Sequence, residues 1–410
     1  MNELARTGLF VAGAAALIAA AGWIRPDATP AEIFSDTGEV FFPNFRSVDA
    51  VKAIEVVDYD ETEAVARPLK VEFRKGRWLL TSHGDYPAEA RDRLAKTASA
   101  LLDIRKDTPA TDRVEDHTRF GVLDPLDARN PSLQGRGKRV TLRDAGGATL
   151  AELVLGLPVK DKAGYRYVRL PGQKRVYSVK TDADPSAQFA DWVEANLLRV
   201  NPTDIVRMTL NSYQIDEQMG RLMNLQRTPY ERGQPSWNAE AQSIAGALAS
   251  LRVTGARAKP KELAEQLRSG QLALTLETVM SLRQRGFFIA PSGQLLSNEG
   301  ELIAENSKGI LYTVRFGELA TDSTSSSKPR ENRYIFITVS ARNPDNAETA
   351  RVLTAKFADW YYVISGADFA RLHPKRAAQL KEKQPQLPPG LPPELQKALE
   401  ERMRQQTKQP

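Results

Sequence analysis

Two Asp-Trp dipeptides, Asp191-Trp192 and Asp359-Trp360, are the residues in this chain whose types and spacing best suit chemistry on a ligand. An indole face can stack on a sugar ring while the adjacent carboxylate accepts hydrogen bonds from its hydroxyls. The same rings can also plug a repeated core, and a Trp at one place in two repeats reads first as structure. The three histidines, His83, His117 and His373, each stand in loop-like surroundings with no second histidine nearby, and are read as surface or loop residues. A Ser-His-Asp site would not be visible as a pattern, because its order varies between folds, and no nucleophile-elbow motif accompanies these residues. The run Asp58, Asp60, Glu61, Glu63 offers oxygens for a hard cation but lacks the glycine and spacing of a calcium loop. It reads as a solvated hairpin turn, and Asp112, Glu115 and Asp116 are read the same way. There is no P-loop, dinucleotide glycine fingerprint or metalloprotease motif. With no cysteine, disulfides, thiolate metal sites and cysteine nucleophiles are excluded. No catalytic residue, cofactor or metal is therefore expected, and Asp191, Trp192, Asp359 and Trp360 are the candidate ligand or partner contacts.

The elements that carry these residues form a recurring grammar. Phe189-Ala190-Asp191-Trp192 returns as Phe357-Ala358-Asp359-Trp360, Leu155-Gly156 as Phe316-Gly317, and a lone Trp (Trp78, Trp237) precedes a helical stretch each time. A repeat of this length is a domain duplication, not a solenoid. In the first unit, alternation predicts strands at 53–57, 69–73 and 78–80, then a helix from Pro87 with Leu94, Ala98, Leu101, Leu102 and Ile104 on its buried face. Hairpins follow, turning at 144–147 and at Pro171-Gly172, and a helix is expected from Phe189 to about Leu198. The second unit repeats the plan: strands at 205–210 and 222–228, a helix at 239–251, a short extra helix at 261–269, strands at 286–289, 310–316 and 334–339, and a helix around Phe357. The expected fold is α+β: two related units of antiparallel sheet with packed helices, an internal duplication preceded by one N-terminal transmembrane helix.

Composition and charge fix the surroundings. At 410 residues the chain is long enough for two or three domains. Residues 8–23 are uncharged and apolar, flanked by Arg6 and Arg25, so residues 1–25 are read as a membrane anchor or signal whose 8–24 stretch contacts the lipid bilayer. Residues 26–50 form a stem, with Phe41-Phe42-Pro43 docking on the first unit (51–200); the second unit spans 201–374. A Ser-rich loop is expected at 321–330. The tail, 375–410, is rich in Pro, Gln and Lys and is expected to be disordered alone. It carries eight Lys/Arg against four Glu, which is most of the formal +6, so the body is near neutral and no nucleic-acid partner is expected.

Phe42-Pro43, the strand at Ile54, Trp78 with Pro87-Ala88, Phe120-Gly121-Val122-Leu123-Asp124-Pro125, Leu155-Gly156 and Val176-Tyr177 together resemble a bacterial family catalogued as a domain of unknown function, DUF family 4340. The resemblance runs from the stem to about Val200, with a diverged echo in the second unit. It implies a membrane-anchored protein with its body on the periplasmic or extracytoplasmic side of the inner membrane, associated with ABC transporters of the gliding-motility type. It supplies no catalytic residues. The expected function is thus that of a non-enzymatic accessory subunit of a membrane complex, with ABC transporter subunits as partners. The alternative is a module binding an envelope glycan or small ligand in a cleft between the units, near Trp192 and Trp360.

Overall fold

Asp60 sets the first hairpin. Its Oδ1 accepts the backbone N–H groups of Thr62 (2.9 Å) and Glu63 (3.1 Å), and its Oδ2 accepts from Arg67 Nη2 at 2.8 Å. These partners, the Glu63 N–H foremost, hold its carboxyl below the ordinary value against the opposing effect of burial. The acidic run is therefore the turn between β1 (Ala53–Asp60) and β2 (Val65–Arg74). Within β1 the fully buried Ile54 and Val56 alternate with the partly exposed Glu55, the period of a strand with one face on a core.

This computed structural model describes residues 36–194, 196–216, 221–269, 275–320 and 331–374. The first half continues through β3 (Arg77–Leu80), β4 (Tyr86–Pro87), α1 (Arg91–Leu102), β5 (Thr108–Thr111), α2 (His117–Phe120), β6 (Lys138–Arg143), β7 (Thr149–Pro158), β8 (Tyr165–Arg169) and β9 (Val176–Lys180). The second half comprises β10 (Ile205–Asp216), β11 (Arg221–Glu231), α3 (Ala239–Ala249), β12 (Gly255–Ala258), α4 (Lys261–Ser269), α5 (Leu276–Arg283), β13 (Phe287–Ile289), β14 (Leu295–Ser297), β15 (Glu301–Asn306), β16 (Ile310–Leu319), β17 (Arg333–Ala341), α6 (Ala347–Ala358), β18 (Trp360–Ile364) and α7 (Gly366–Leu372).

Two large antiparallel sheets result, an architecture compatible with α+β. The nine-stranded sheet runs β4-β3-β2-β1-β6-β7-β8-β9-β5, and the seven-stranded sheet runs β11-β10-β15-β16-β17-β18-β12. From β2 to β5 the first order is matched strand for strand by the second. The registers match as well. Val56–Val140 corresponds to Leu210–Leu302, Val140–Leu153 to Leu302–Val314, Leu155–Val168 to Phe316–Ile335, and Pro109–Tyr177 to Ala256–Tyr362. Arg166 donates to the Gly156 carbonyl from Nε (3.2 Å) and Nη2 (3.0 Å), and Arg333, at the corresponding register, donates to that of Gly317 from Nη1 (3.0 Å). One continuous hydrophobic core serves both sheets, from Phe41 in the stem to Leu372 in α7. Phe41 packs edge-on against Tyr177 with centroids 5.2 Å apart, which docks the stem on the first sheet.

Several elements differ from the sequence reading. The Phe189 phrase forms only a 3-10 turn, Phe189–Asp191, whereas the second phrase ends α6 and Trp360 begins β18. Phe189 follows β9, while Phe357 precedes β18, the counterpart of β9. The tetrapeptide therefore does not occupy equivalent places in the two sheets. The first helix starts at Arg91 because Pro87 still pairs with Leu79 in the sheet. β15 was hidden by its two glutamates. Both are buried: Glu301 accepts from Asn211 Nδ2 at 2.9 Å and lies 3.2 Å from Arg315 Nε, and Glu305 accepts from Arg342 Nη2 at 2.6 Å. The readings of an anchor at 1–25, a Ser-rich loop at 321–330 and a tail at 375–410 fall outside the described residues. Among the described residues, no helix is long and apolar enough to cross a membrane.

Candidate functional site

The two Asp-Trp pairs lie in different surroundings. Trp192 is 1% exposed. Its Nε1 donates to the Ser186 carbonyl at 2.8 Å, and its own carbonyl accepts from Glu89 N at 2.7 Å, tying the turn to the approach of α1. Asp191 accepts from Ser186 Oγ at 2.5 Å. Asp359 pairs with Arg268, and its carbonyl accepts from Lys259 N at 2.8 Å. Trp360 meets the Tyr86 ring edge-on at 4.9 Å. Tyr86 also packs on Phe189 (5.2 Å) and Tyr362 (6.4 Å), and His83 on Phe189 (5.0 Å). Where β4 meets β18, the seam between the sheets is thus filled with rings. Trp192 borders a small hollow of about 120 Å³ with Arg93, Lys96, Asp182 and Asp184.

All three histidines are buried, where the sequence suggested surface or loop positions. The segments that carry them fold against aromatic rings (His83, His373) or against the turn between β8 and β9 (His117), which sequence context alone does not reveal. Nδ1 of His83 lies 2.8 Å from Ser82 Oγ, and Nε2 has no hydrogen-bond partner. Burial foremost, and then the Arg257 charge, push its pKa from 6.5 down to about 4. His117 Nε2–H donates to the Lys174 carbonyl at 2.7 Å, which fixes the tautomer, and burial pulls this imidazole down as well. His373 packs on Phe316 with Nε2 3.5 Å from Ser212 Oγ. Neither His83 nor His117 hydrogen-bonds a carboxylate.

The His83 shift carries a pH prediction. The imidazole is neutral in the fold and free to charge once unfolded. Its contribution is complete above pH 6.5 and is lost as pH falls through 6.5 toward about 4. About 3 kcal/mol should disappear over that window. In urea titrations, His83→Gln should flatten the stability profile between pH 6.5 and 4. An unchanged slope would contradict the assignment.

An open cleft of about 620 Å³ lies on the first sheet. Its wall is the loop after Gly121, where α2 ends in the left-handed conformation (φ 66°) that glycine adopts without strain. Arg136 staples that loop: its guanidinium donates to the carbonyls of Asn130 (2.6 Å), Asp124 (2.9 Å), Ser132 (3.0 Å) and Asp127 (3.1 Å) while covering Tyr59. The floor comes from β6 and β8. Arg139 donates to Asp124 (2.8 Å) and Glu152 (2.9 Å). Burial works against its charge, yet the Glu152 and Asp124 carboxylates keep its pKa above the ordinary value. Arg169, 6% exposed, donates from Nε to the Val122 carbonyl at 2.9 Å and from Nη1 to the Gln173 carbonyl at 2.9 Å. No carboxylate hydrogen-bonds it among the described residues, and burial lowers its pKa against the opposing charges of Asp124 and Asp127. The Lys174 side chain at the rim is exposed and has no ion-pair partner among the described residues.

Sequence reasoning singled out Gly121-Val122-Leu123-Asp124-Pro125 but not the arginines behind it. Arg169 follows Tyr165-Arg166-Tyr167-Val168, a pattern in which a charged residue reads as the solvent face of a strand. A second buried cation also went unseen. Lys259 Nζ donates to the Phe357 carbonyl at 2.9 Å and sits 4.0 Å from the Phe336 ring centroid, and burial pushes it well below its ordinary pKa. Among the described residues no group of three or more His, Asp or Glu side chains is arranged to hold a metal ion.

Residues 78–269 match the family model of a domain of unknown function, DUF4340. The match begins in β3 and runs through α4, further into the second half than the sequence resemblance did. No curated protein and no solved structure matches the chain.

Proposed function

We propose that this chain is a non-enzymatic accessory subunit of a membrane complex, built from two copies of one α+β unit (51–200 and 201–374) behind an N-terminal anchor at 1–25. Its body faces the periplasmic side of the inner membrane, and the resemblance to DUF4340 implies an ABC-type transporter as the complex. The matched strand order and register support the duplication. The single observation that carries the interaction role is β11. This eleven-residue strand ends its sheet, is exposed along most of its length on both faces, and presents Met223 (43% exposed) and Leu225 (40%). Among the described residues, no further strand is paired with its outer edge. Such an edge is a template for an added strand; Arg227 and Pro229 blunt its C-terminal half, which leaves the stretch around Met223 and Leu225 to receive one. The occupant proposed is an extended segment of an integral membrane subunit.

Purification from native membranes in mild detergent tests this. Transporter subunits are expected to co-purify with the full chain and to be lost with Leu225→Lys, because an edge lysine opposes strand addition. Recovery of the bait alone from the native chain would contradict the reading. Separately, deletion of residues 1–25 is expected to release the protein from the membrane. A ligand-binding role is also favoured, though by the Arg169 cleft and not by the seam at the Asp-Trp pairs.

A further inference from the structure

The two sheets allow a comparison within one molecule. Leu155 pairs with Val168 as Phe316 pairs with Ile335, and the next pairs along are Val154–Arg169 and Arg315–Phe336. Arg169 therefore stands where the second sheet has Phe336. Phe336 is fully buried and packs on Phe287 (5.4 Å) and Tyr361 (5.9 Å). The chain segment after Gly121 forms the open wall of the cleft. The segment after Gly286, which has the corresponding left-handed backbone (φ 76°), instead forms the β13–β14 hairpin. Phe287 of that hairpin lies against Phe336, and Arg315 Nε donates to the Leu295 carbonyl at 2.8 Å. One copy of the plan thus has a ring and a covering hairpin, while the other has a guanidinium and an open cleft of about 620 Å³. At this register the second sheet has a ring with the Lys259 ammonium 4.0 Å from its centroid, so the strand position itself does not require a guanidinium.

A buried guanidinium whose hydrogen bonds go only to carbonyl oxygens has no directly bonded counter-charge, the partner that such a group ordinarily needs. Within the cleft, Arg139 is satisfied by Asp124 and Glu152, and Arg129 by Asp127. Arg169 and Lys174 are left as its two cations without an ion pair among the described residues, Asp124 and Asp127 acting on Arg169 only through space. Nε and Nη1 of Arg169 are occupied, and Nη2 has no acceptor among the described residues.

We propose that the cleft binds an oxyanion, a carboxylate or phosphate group of a small ligand, on Arg169 with Lys174 as the second cation. Guanidinium–oxyanion pairs form strong charge-assisted hydrogen bonds, and the surrounding walls exclude water from part of the site. The deep arginine sets affinity, whereas the rim lysine contributes mainly long-range attraction.

Calorimetric titration of the full chain, at ionic strength fixed with sodium chloride, tests the assignment with two probes: inorganic phosphate and citrate. Saturable binding of at least one is expected, and which one binds distinguishes phosphate from carboxylate chemistry. Arg169→Met should weaken that binding by about tenfold or more, Lys174→Gln by a few-fold, and Arg169→Lys should retain part of it. Binding of neither probe would overturn the proposal, as would undiminished binding in Arg169→Met. Should Arg169→Met fail to fold, equal affinity in Arg169→Lys, Lys174→Gln and the native chain would overturn it instead.

Discussion

Trp192→Ala is expected to lower the free energy of unfolding by about 4 kcal/mol. The side chain is among the largest of those fully buried, and its Nε1–H satisfies the Ser186 carbonyl at 2.8 Å. Truncation removes most of a buried ring's contacts and strands that carbonyl, and the rigid turn around it limits collapse of the cavity. The neighbouring Asp191, whose carboxylate is 41% exposed, should cost under about 1 kcal/mol when changed to Ala. Urea denaturation followed by circular dichroism reads both. The contrast also separates a core role from a glycan-stacking role. A Trp192→Ala protein of native stability that has lost binding to an envelope glycan would contradict the core assignment.

Gly317→Ala is expected to destabilise by roughly 3 kcal/mol, at the upper end of what overpacking costs. A Cβ there would sit 2.1 Å from the Arg285 carbonyl oxygen and 2.8 Å from Cζ of Phe287. Neither can yield cheaply, since the Arg285 carbonyl accepts from Glu318 N at 2.9 Å and Phe287 is fully buried. Gly156 in the first sheet faces the same constraint: its Cβ would lie 2.5 Å from the Phe120 carbonyl oxygen. Gly246 supplies the opposite case. It lies within α3, where an added Cβ would meet nothing within 4 Å, so Gly246→Ala should stabilise by about 0.5–1 kcal/mol. If Gly317→Ala and Gly246→Ala have effects of the same sign and size, the close approach at Gly317 is refuted.

Much of the fold was legible because its signals are local. Alternation marked β1, β2, β16 and β17. The Asp144-Ala145-Gly146-Gly147 turn marked the β6–β7 hairpin, and the Leu94, Ala98, Leu101 spacing marked α1. The matched strand order was partly legible too: Leu155-Gly156 and Phe316-Gly317, read as counterparts, stand at equivalent registers, whereas the two Phe-Ala-Asp-Trp phrases do not. What escaped was set by tertiary pairing. β15 carries Glu301 and Glu305, whose charges read as solvent-facing until Asn211, Arg315 and Arg342 are brought beside them. β5 and β12 are four residues each and owe their form to β9 and β18. The cleft was illegible for the same reason, since Arg169 becomes informative only when its register makes it the counterpart of Phe336 in the other sheet.

The proposed role depends most heavily on β11 as the edge that a membrane partner extends. The most direct test places a photo-reactive amino acid at Leu225 in the full chain and, as a control, at Val352 on α6, then irradiates intact membranes. The proposed function predicts an adduct between position 225 and an integral subunit of an ABC-type transporter, with none from position 352. Equal labelling at both positions, or no adduct with a membrane-spanning protein, would contradict it.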